Sequence, residues 1–330
     1  MAATNKRGVF SLETVLERQS DNHWSKIPEV FRYVNSLGQS ENLGPAFGYM
    51  GGGYNPSAVQ SGINRIDFSN DTATASQVSQ FAGESPSSRN QLRTLFGVAN
   101  LTHAYWGGGT HGLGSESTSM FRLDFSNDTT NTSSIGNLPA AASELSAVGN
   151  ASYGYIGGDS KTTVNRIDYS NDDTTTAVKG DLNQTRFYPG ATGNSSYGWF
   201  GGGSNSSVDR VDYSNDTATA SARGDLTRTA ANTAATGNSS YGYWGGGGPG
   251  NTTYVDRVDY SNDTPTASPK GPLTLAREKL GATGNSDYGY FAGGNPGPVS
   301  TVDRVDYSND TATASTKGSL NISPGTNGKM

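Results

Sequence analysis

One unit recurs six times along this chain of 330 residues, and no other feature restricts the fold as much. Each unit carries an aromatic or apolar pair between small residues: Gly48-Tyr49-Met50-Gly51-Gly52, Ala104-Tyr105-Trp106-Gly107-Gly108, Gly154-Tyr155-Ile156-Gly157-Gly158, Gly198-Trp199-Phe200-Gly201-Gly202, Gly242-Tyr243-Trp244-Gly245-Gly246 and Gly289-Tyr290-Phe291-Ala292-Gly293. Successive starts lie 56, 50, 44, 44 and 47 residues apart. A period in this range, held this often, belongs to a propeller or a solenoid. A second motif, Arg-apolar-Asp-aromatic-Ser-Asn-Asp, follows each first motif after a loop of variable length. It begins at Arg65, Arg122, Arg166, Arg210, Arg257 and Arg304.

One unit reads as four strands. In the fourth unit, residues 188–193 form a first strand and Asn194-Ser195-Ser196 a tight turn. Residues 197–200 form a second strand that ends on Gly201-Gly202-Gly203. Residues 208–213 alternate, with Val211 and Tyr213 on one face and Arg210 and Asp212 on the other, as a half-buried strand does. Ser214-Asn215-Asp216 is turn chemistry, and residues 217–221 make a thin fourth strand. A radially repeated four-stranded antiparallel sheet is a propeller blade. A solenoid requires atypical capping repeats, whereas the last unit here is as regular as the middle ones. The expectation is an all-β, six-bladed β-propeller over residues 44–330.

The C-terminal tail around Pro324-Gly325-Thr326-Asn327-Gly328 is similar to Pro189-Gly190-Ala191-Thr192-Gly193-Asn194, a first strand. The first unit matches its own first strand poorly. The C-terminal strand is therefore expected to close the first blade. Residues 1–43 do not fit the repeat. Ser11 is suited to cap a short helix over roughly 11–19 that aligns Leu12, Val15 and Leu16. Pro28 suits the first turn of a second helix holding Val30, Phe31 and Val34. Phe10 and Trp24 add apolar surface to a segment too short to fold alone. The expectation is an anchoring arm that docks on another protein through Phe10, Leu12, Val15, Leu16, Trp24 and Phe31. A strap across the propeller's own face is the alternative.

Composition narrows the partners. The formal net charge is −6 and there is no Lys/Arg-rich run, which speaks against nucleic acid. No apolar stretch approaches the roughly 18 residues of a membrane span. The opening residues lack the apolar core of a signal peptide, so synthesis in a cytoplasm is expected. With no cysteine, neither disulfides nor thiol chemistry are available.

The paired glycines after an aromatic strand, and the aromatic-plus-Asp third strand, resemble kelch repeats over roughly residues 44–330. Kelch units carry a Trp on the fourth strand where this chain has Thr and Ala, as at Thr72-Ala73-Thr74-Ala75. The full wording, Tyr-Gly-Tyr-apolar-Gly-Gly-Gly followed by Arg-Val-Asp-Tyr-Ser-Asn-Asp-Thr-Ala-Thr-Ala-Ser, is similar to virion structural proteins of cyanobacterial and other marine phages. So is the opening Arg7-Gly8-Val9-Phe10-Ser11-Leu12-Glu13 with Trp24. That resemblance implies a tail fibre, baseplate appendage or decoration protein of a virion assembled in the host cytoplasm. It implies other virion proteins as partners of the arm.

No catalytic constellation, cofactor motif or metal-ligand spacing is evident. His23, His103 and His111 do not group with other ligands. The oxygen-rich set Asp67, Asn70 and Asp71, repeated at Asp306, Asn309 and Asp310, has ligand types that suit calcium. A turn that every blade needs explains it better. Arg210 and Asp212 read as pairing within or between blades. What varies among units is the loop after the glycine-rich strand, at 54–62, 110–119, 248–254 and 295–301. Tyr54, His111 and Tyr254 there are candidates to contact a host-surface glycan or protein. The leading expectation is a non-enzymatic virion component. The alternatives are a capsid decoration with no receptor role and a glycan-degrading enzyme. An enzyme of that kind needs paired carboxylates, and Glu84, Glu116 and Glu144 break the repeat symmetry.

Overall fold

The computed structural model describes residues 47–53, 61–82, 93–110, 115–296 and 299–321. The anchoring arm of 1–43, Tyr54, His111, Glu84 and the tail from 322 onward lie outside them.

Six antiparallel meanders form six blades. The first comprises β1 (Phe47–Gly51), β2 (Gly62–Asp67) and β3 (Ser76–Gln80). The second comprises β4 (Phe96–Ala99), β5 (His103–Gly107), β6 (Ser117–Asp124) and β7 (Ser133–Ala142). The third holds β8 (Leu145–Gly149), β9 (Tyr153–Gly158), β10 (Lys161–Asp168) and β11 (Ala177–Arg186). The fourth holds β12 (Gly190–Gly193), β13 (Tyr197–Gly201), β14 (Val208–Asp212) and β15 (Ser221–Ala222). The fifth holds β16 (Ala234–Gly237), β17 (Tyr241–Gly245), β18 (Val255–Asp259) and β19 (Ser268–Pro269). The sixth holds β20 (Gly281–Gly284), β21 (Tyr288–Ala292), β22 (Val302–Asp306) and β23 (Ser315–Thr316). Five blades have four strands and the first has three among the described residues. The C-terminal strand expected to complete it falls in the tail beyond them.

The core lies in the seams between blades. Each apolar cluster takes residues from two neighbouring blades, such as Tyr155 and Val164 with Phe200 and Val211. The final cluster joins Tyr290 and Val302 of the sixth blade to Met50 and Ile66 of the first, so the ring is closed. The adjacent aromatic or apolar pair of each second strand now has a physical reason. Consecutive strand residues face opposite sides of a sheet, and both sides of a blade are covered. Tyr243 reaches forward to Asp310 of the sixth blade. Trp244 reaches back, donating its indole N–H to the Gly190 carbonyl of the fourth at 3.1 Å.

Three details correct the strand reading. Tyr188 has φ 52° and ends the approach, so the first strand starts at Gly190. Tyr213 leaves the third strand and opens a 3-10 helix, Tyr213–Asn215, capped by the Asp212 side chain. The Thr217-Ala218-Thr219-Ala220 stretch is a turn, with the short fourth strand following at Ser221–Ala222. It turns because its backbone packs against the preceding blade: a side chain at Gly180 would overlap the Ala218 carbonyl.

Candidate binding face

The residues that recur are taken up by the seams. The third-strand arginine of each blade pairs with the last Asp of the next blade's Ser-Asn-Asp turn. The pairs are Arg65–Asp128 at 2.7 Å, Arg122–Asp172 at 2.8 Å, Arg166–Asp216 at 2.6 Å, Arg210–Asp263 at 3.1 Å, Arg257–Asp310 at 2.7 Å and Arg304–Asp71 at 2.7 Å. The last pair closes the circle. The sequence expectation of pairing between blades is met, but by Asp216 and its counterparts; Asp212 caps its own turn by accepting from Ser214 N and Oγ. Each seam also stacks a second-strand aromatic on the turn aromatic of the next blade. Tyr155 on Tyr213 is at 4.6 Å and Trp199 on Tyr260 at 3.9 Å. The calcium-like set does not converge. Asp67 accepts from Ser69, whereas Asp71 is buried against Arg304, Lys317 and the Tyr290 hydroxyl. His103 stands where other blades place Phe47, Tyr153 or Tyr197 beneath the arginine. Burial and the Arg122 charge push its pKa below the ordinary value.

The disc has two unlike faces. One is regular. There the Asn of the first hairpin, from the second blade to the sixth, accepts from the backbone two and three residues on, as Asn194 does from Ser196 N and Tyr197 N at 3.0 Å. The same hairpin carries the 3-10 turn, through Tyr213 N to Ser196 O at 3.0 Å. Asn150, Asn238 and Asn285 repeat the first arrangement.

The other face is irregular. It holds the loops after the second strands, which among those described throughout run from two residues in the third blade (Asp159 and Ser160) to residues 246–254 in the fifth. These loops bond to the segments that lead into the innermost strands, as Arg93 with Thr110, Ala231 with Gly248 and Glu278 with Asn295. Loops and lead-in segments therefore share one face. Of the three loop residues expected to bind a partner, Tyr254 is described, and it is 54% exposed. Its ring lies 4.6 Å from the Arg228 guanidinium, which donates to the Gly246 carbonyl at 2.8 Å. Arg186 and Arg277 hold the corresponding carbonyls of Gly202 and Gly293. They are fully buried and paired with Asp209 at 2.8 Å and Asp303 at 2.6 Å. Sequence reasoning missed these pairs. Their signal is a column of the aligned repeats: the position before the motif arginine is Asp209, Asp256 and Asp303 in three blades but Asn64, Phe121 and Asn165 in the others.

Around the axis, the lead-in segments place one residue of each blade from second to sixth at the same point, two positions ahead of the residue paired with Gly107, Gly157, Gly201, Gly245 or Ala292 of the second strand. They are Thr94, Glu144, Tyr188, Asn232 and Lys279, at φ 61°, 59°, 52°, 57° and 57°. Their backbones bond in sequence around the axis, Glu144 N to Thr94 O at 3.1 Å, Asn232 N to Tyr188 O at 3.0 Å and Lys279 N to Asn232 O at 2.8 Å. We term this arrangement the crown. Beneath it, the innermost strands enclose an axial cavity of about 30 Å³ lined by small residues such as Gly97, Ala147, Ala191 and Ala235. That is room for a few waters at most.

The crown side chains interact. The Tyr188 hydroxyl and the Glu144 carboxylate act on each other electrostatically. Asn232 Nδ2 donates to Glu278 Oε2 at 3.1 Å. The Lys279 ammonium lies 5.7 Å from the Tyr188 ring centre, and Phe187 meets that ring edge-on at 5.0 Å. Burial pushes the Glu144 carboxyl above its ordinary range. The Tyr188 hydroxyl opposes this, and the nearby charges of Asp159 and Glu116 add to it. Burial, then Glu144, raises the Tyr188 hydroxyl, which stays a protonated donor. Of the three symmetry-breaking glutamates, Glu116 and Glu144 thus lie on the irregular face. Glu116 accepts from Ser143 Oγ at 2.9 Å.

Among known proteins, no family model and no curated protein matches the chain. In fold it is similar to the solved structure of YjhT, with a TM-score of 0.62 at 10% identity, covering 86% of this chain and 100% of that one. At that identity the likeness is one of architecture, a six-bladed propeller, and an architecture of this kind serves many unrelated activities.

Proposed function

We propose that the chain is a non-enzymatic binding and display module, a structural component of a phage virion that meets its partner with the irregular face. The inequality of the two faces carries this reading. The recurring side chains are paired inside the seams and the regular face repeats one turn. The side chains that differ from blade to blade converge where loops vary, which is where binding residues sit on a rigid scaffold. The virion assignment is supported by the sequence resemblance alone. It makes the chain a tail or baseplate appendage or a fibre, with a capsid decoration as its alternative. The test is mass spectrometry of purified phage particles encoding the chain, followed by electron microscopy to locate it. Presence in the particle, lost when residues 1–43 are removed from a chain that still folds, is the expected result. Particles lacking the protein would exclude the virion role.

A glycan-degrading enzyme is the second reading, favoured by the raised carboxyl of Glu144 on the irregular face. Such an acid is suited to protonate a leaving oxygen. The purified chain is expected to release no reducing sugar from host polysaccharide. Release that disappears in Glu144→Gln would put the enzyme in place of the binding module.

A further inference from the structure

We propose that Glu144, Phe187, Tyr188, Asn232, Glu278 and Lys279, set around the mouth of the axial cavity, form a binding site for one neutral saccharide ring. The inference rests on the irregular face being the binding face, and it adds a place on that face and a ligand class.

Three observations support it. First, these side chains escape the repeat. Equivalent backbone points carry Thr94, Glu144, Tyr188, Asn232 and Lys279, five different residues where the seams repeat one solution. Second, each occupies the left-handed region that glycine adopts freely and other residues rarely do. The chain has 45 glycines and places them at other positive-φ points, such as Gly202 at 73° and Gly246 at 66°. Four of the six proposed residues, Glu144, Tyr188, Asn232 and Lys279, sit at these strained points, the pattern of a functional site rather than of a turn.

Third, the chemistry selects a class of ligand. From the third blade to the sixth come a carboxylate (Glu144), a phenol (Tyr188), an amide (Asn232) and a carboxylate beside an ammonium (Glu278, Lys279). A strongly anionic ligand would meet Glu144 and Glu278, and a cationic one Lys279. A hydroxyl donates and accepts at once, so a polyol satisfies neighbouring acceptors and donors together. Phe187, 40% exposed, offers an aromatic face to the C–H side of a sugar ring. The cavity beneath, at about 30 Å³, does not admit such a ring, so it rests on the mouth. A single ring held at one surface predicts millimolar affinity.

Saturation-transfer NMR and titration of the full chain with glucose, galactose, mannose and N-acetylglucosamine test this, with glucuronate as the charged comparison. At least one neutral sugar should bind, and more tightly than glucuronate. Tyr188→Phe keeps the ring and removes the donor. Lys279→Gly removes the ammonium and relieves the backbone. Each should weaken binding at least tenfold in a chain that still melts cooperatively, Tyr188→Phe with a small loss of melting temperature and Lys279→Gly with a raised one. Binding of none of the neutral sugars, or equal affinity in both variants, would overturn the site. Adsorption of the labelled chain to host cells separates this from the wider reading. Adsorption abolished by Tyr254→Ser and indifferent to the crown variants would overturn the crown and leave the irregular face as the binding face. Adsorption sensitive only to Ser195→Ala and Ser239→Ala on the regular face would overturn both.

Discussion

Asp216 receives the Arg166 guanidinium at 2.6 Å, the Lys179 ammonium at 3.3 Å and the Tyr155 hydroxyl at 3.1 Å, all from the preceding blade. Removing the carboxylate leaves a partly buried guanidinium and phenol without their acceptor. Asp216→Ala should therefore cost about 2–3 kcal/mol, and Tyr155→Phe about 1 kcal/mol, both measurable by denaturant unfolding. The same carboxylates set the response to acid. Burial raises Asp216, but the hydrogen bonds and charges of Arg166, Tyr155 and Lys179 outweigh it and hold the group below its ordinary value. Asp67, Asp124, Asp168 and Asp306 are also held low, chiefly by the hydroxyl of the Ser two residues on. A carboxylate depressed in the folded state contributes stability above its unfolded value, about 3.9, and loses it as pH falls through the lower folded value. The melting temperature should thus hold steady down to about pH 5 and fall continuously below about pH 4. A level profile down to about pH 2 would contradict the role given to these groups. The recurrence of Arg210 and of both aspartates was legible as structural in the sequence. Which aspartate pairs was not, because a 3-10 turn that follows Asp212 decides it by carrying Asp216 into the seam.

At the scale of elements, the second and third strands were readable from alternation and from the glycines that end them. The fourth was misplaced by four residues, since Thr-Ala-Thr-Ala has the composition of a strand while its backbone is claimed by the neighbouring blade. From the second blade to the sixth, a glycine within or just after the fourth strand marks that claim. Gly224 N donates to the Asp263 carbonyl at 2.9 Å, and a Cβ there would overlap the Pro265 carbonyl oxygen. Gly180, Gly271 and Gly318 stand in the same relation to Ala218, Ala312 and Ala73. Gly224→Ala should destabilise by about 2 kcal/mol or more, because backbone rather than a flexible side chain blocks the methyl. Calorimetry of this variant checks the value, and an unchanged melting temperature would contradict the seam clash. The crown was beyond sequence reasoning. Its members share a backbone conformation and a place ahead of a strand, but no residue type, so no motif announces them.

At the scale of the whole molecule, the closing seam is built as those between the third and fourth and between the fifth and sixth blades are. Asp71 of the first blade receives Arg304, Lys317 and Tyr290 of the sixth, Gly318 N donates to the Asp71 carbonyl and Ala75 N to that of Ser319. Leu320 is buried in the shared cluster. Truncation after Gly318 removes Leu320 and the Ser319 bond and should lower the melting temperature by several degrees; an unchanged value would show that closure does not depend on them. The sixfold count and the ring were legible because each repeat states the same joint in nearly the same residues. That sameness has a cost in assembly. A joint repeated in this way carries no address: the first blade of one polypeptide offers Asp71 equally well to the sixth blade of another. When a ring closes, nearness of its own ends must therefore decide what chemical complementarity leaves open. Crowded refolding should yield interlinked chains with intact seams, whereas dilution yields single closed discs.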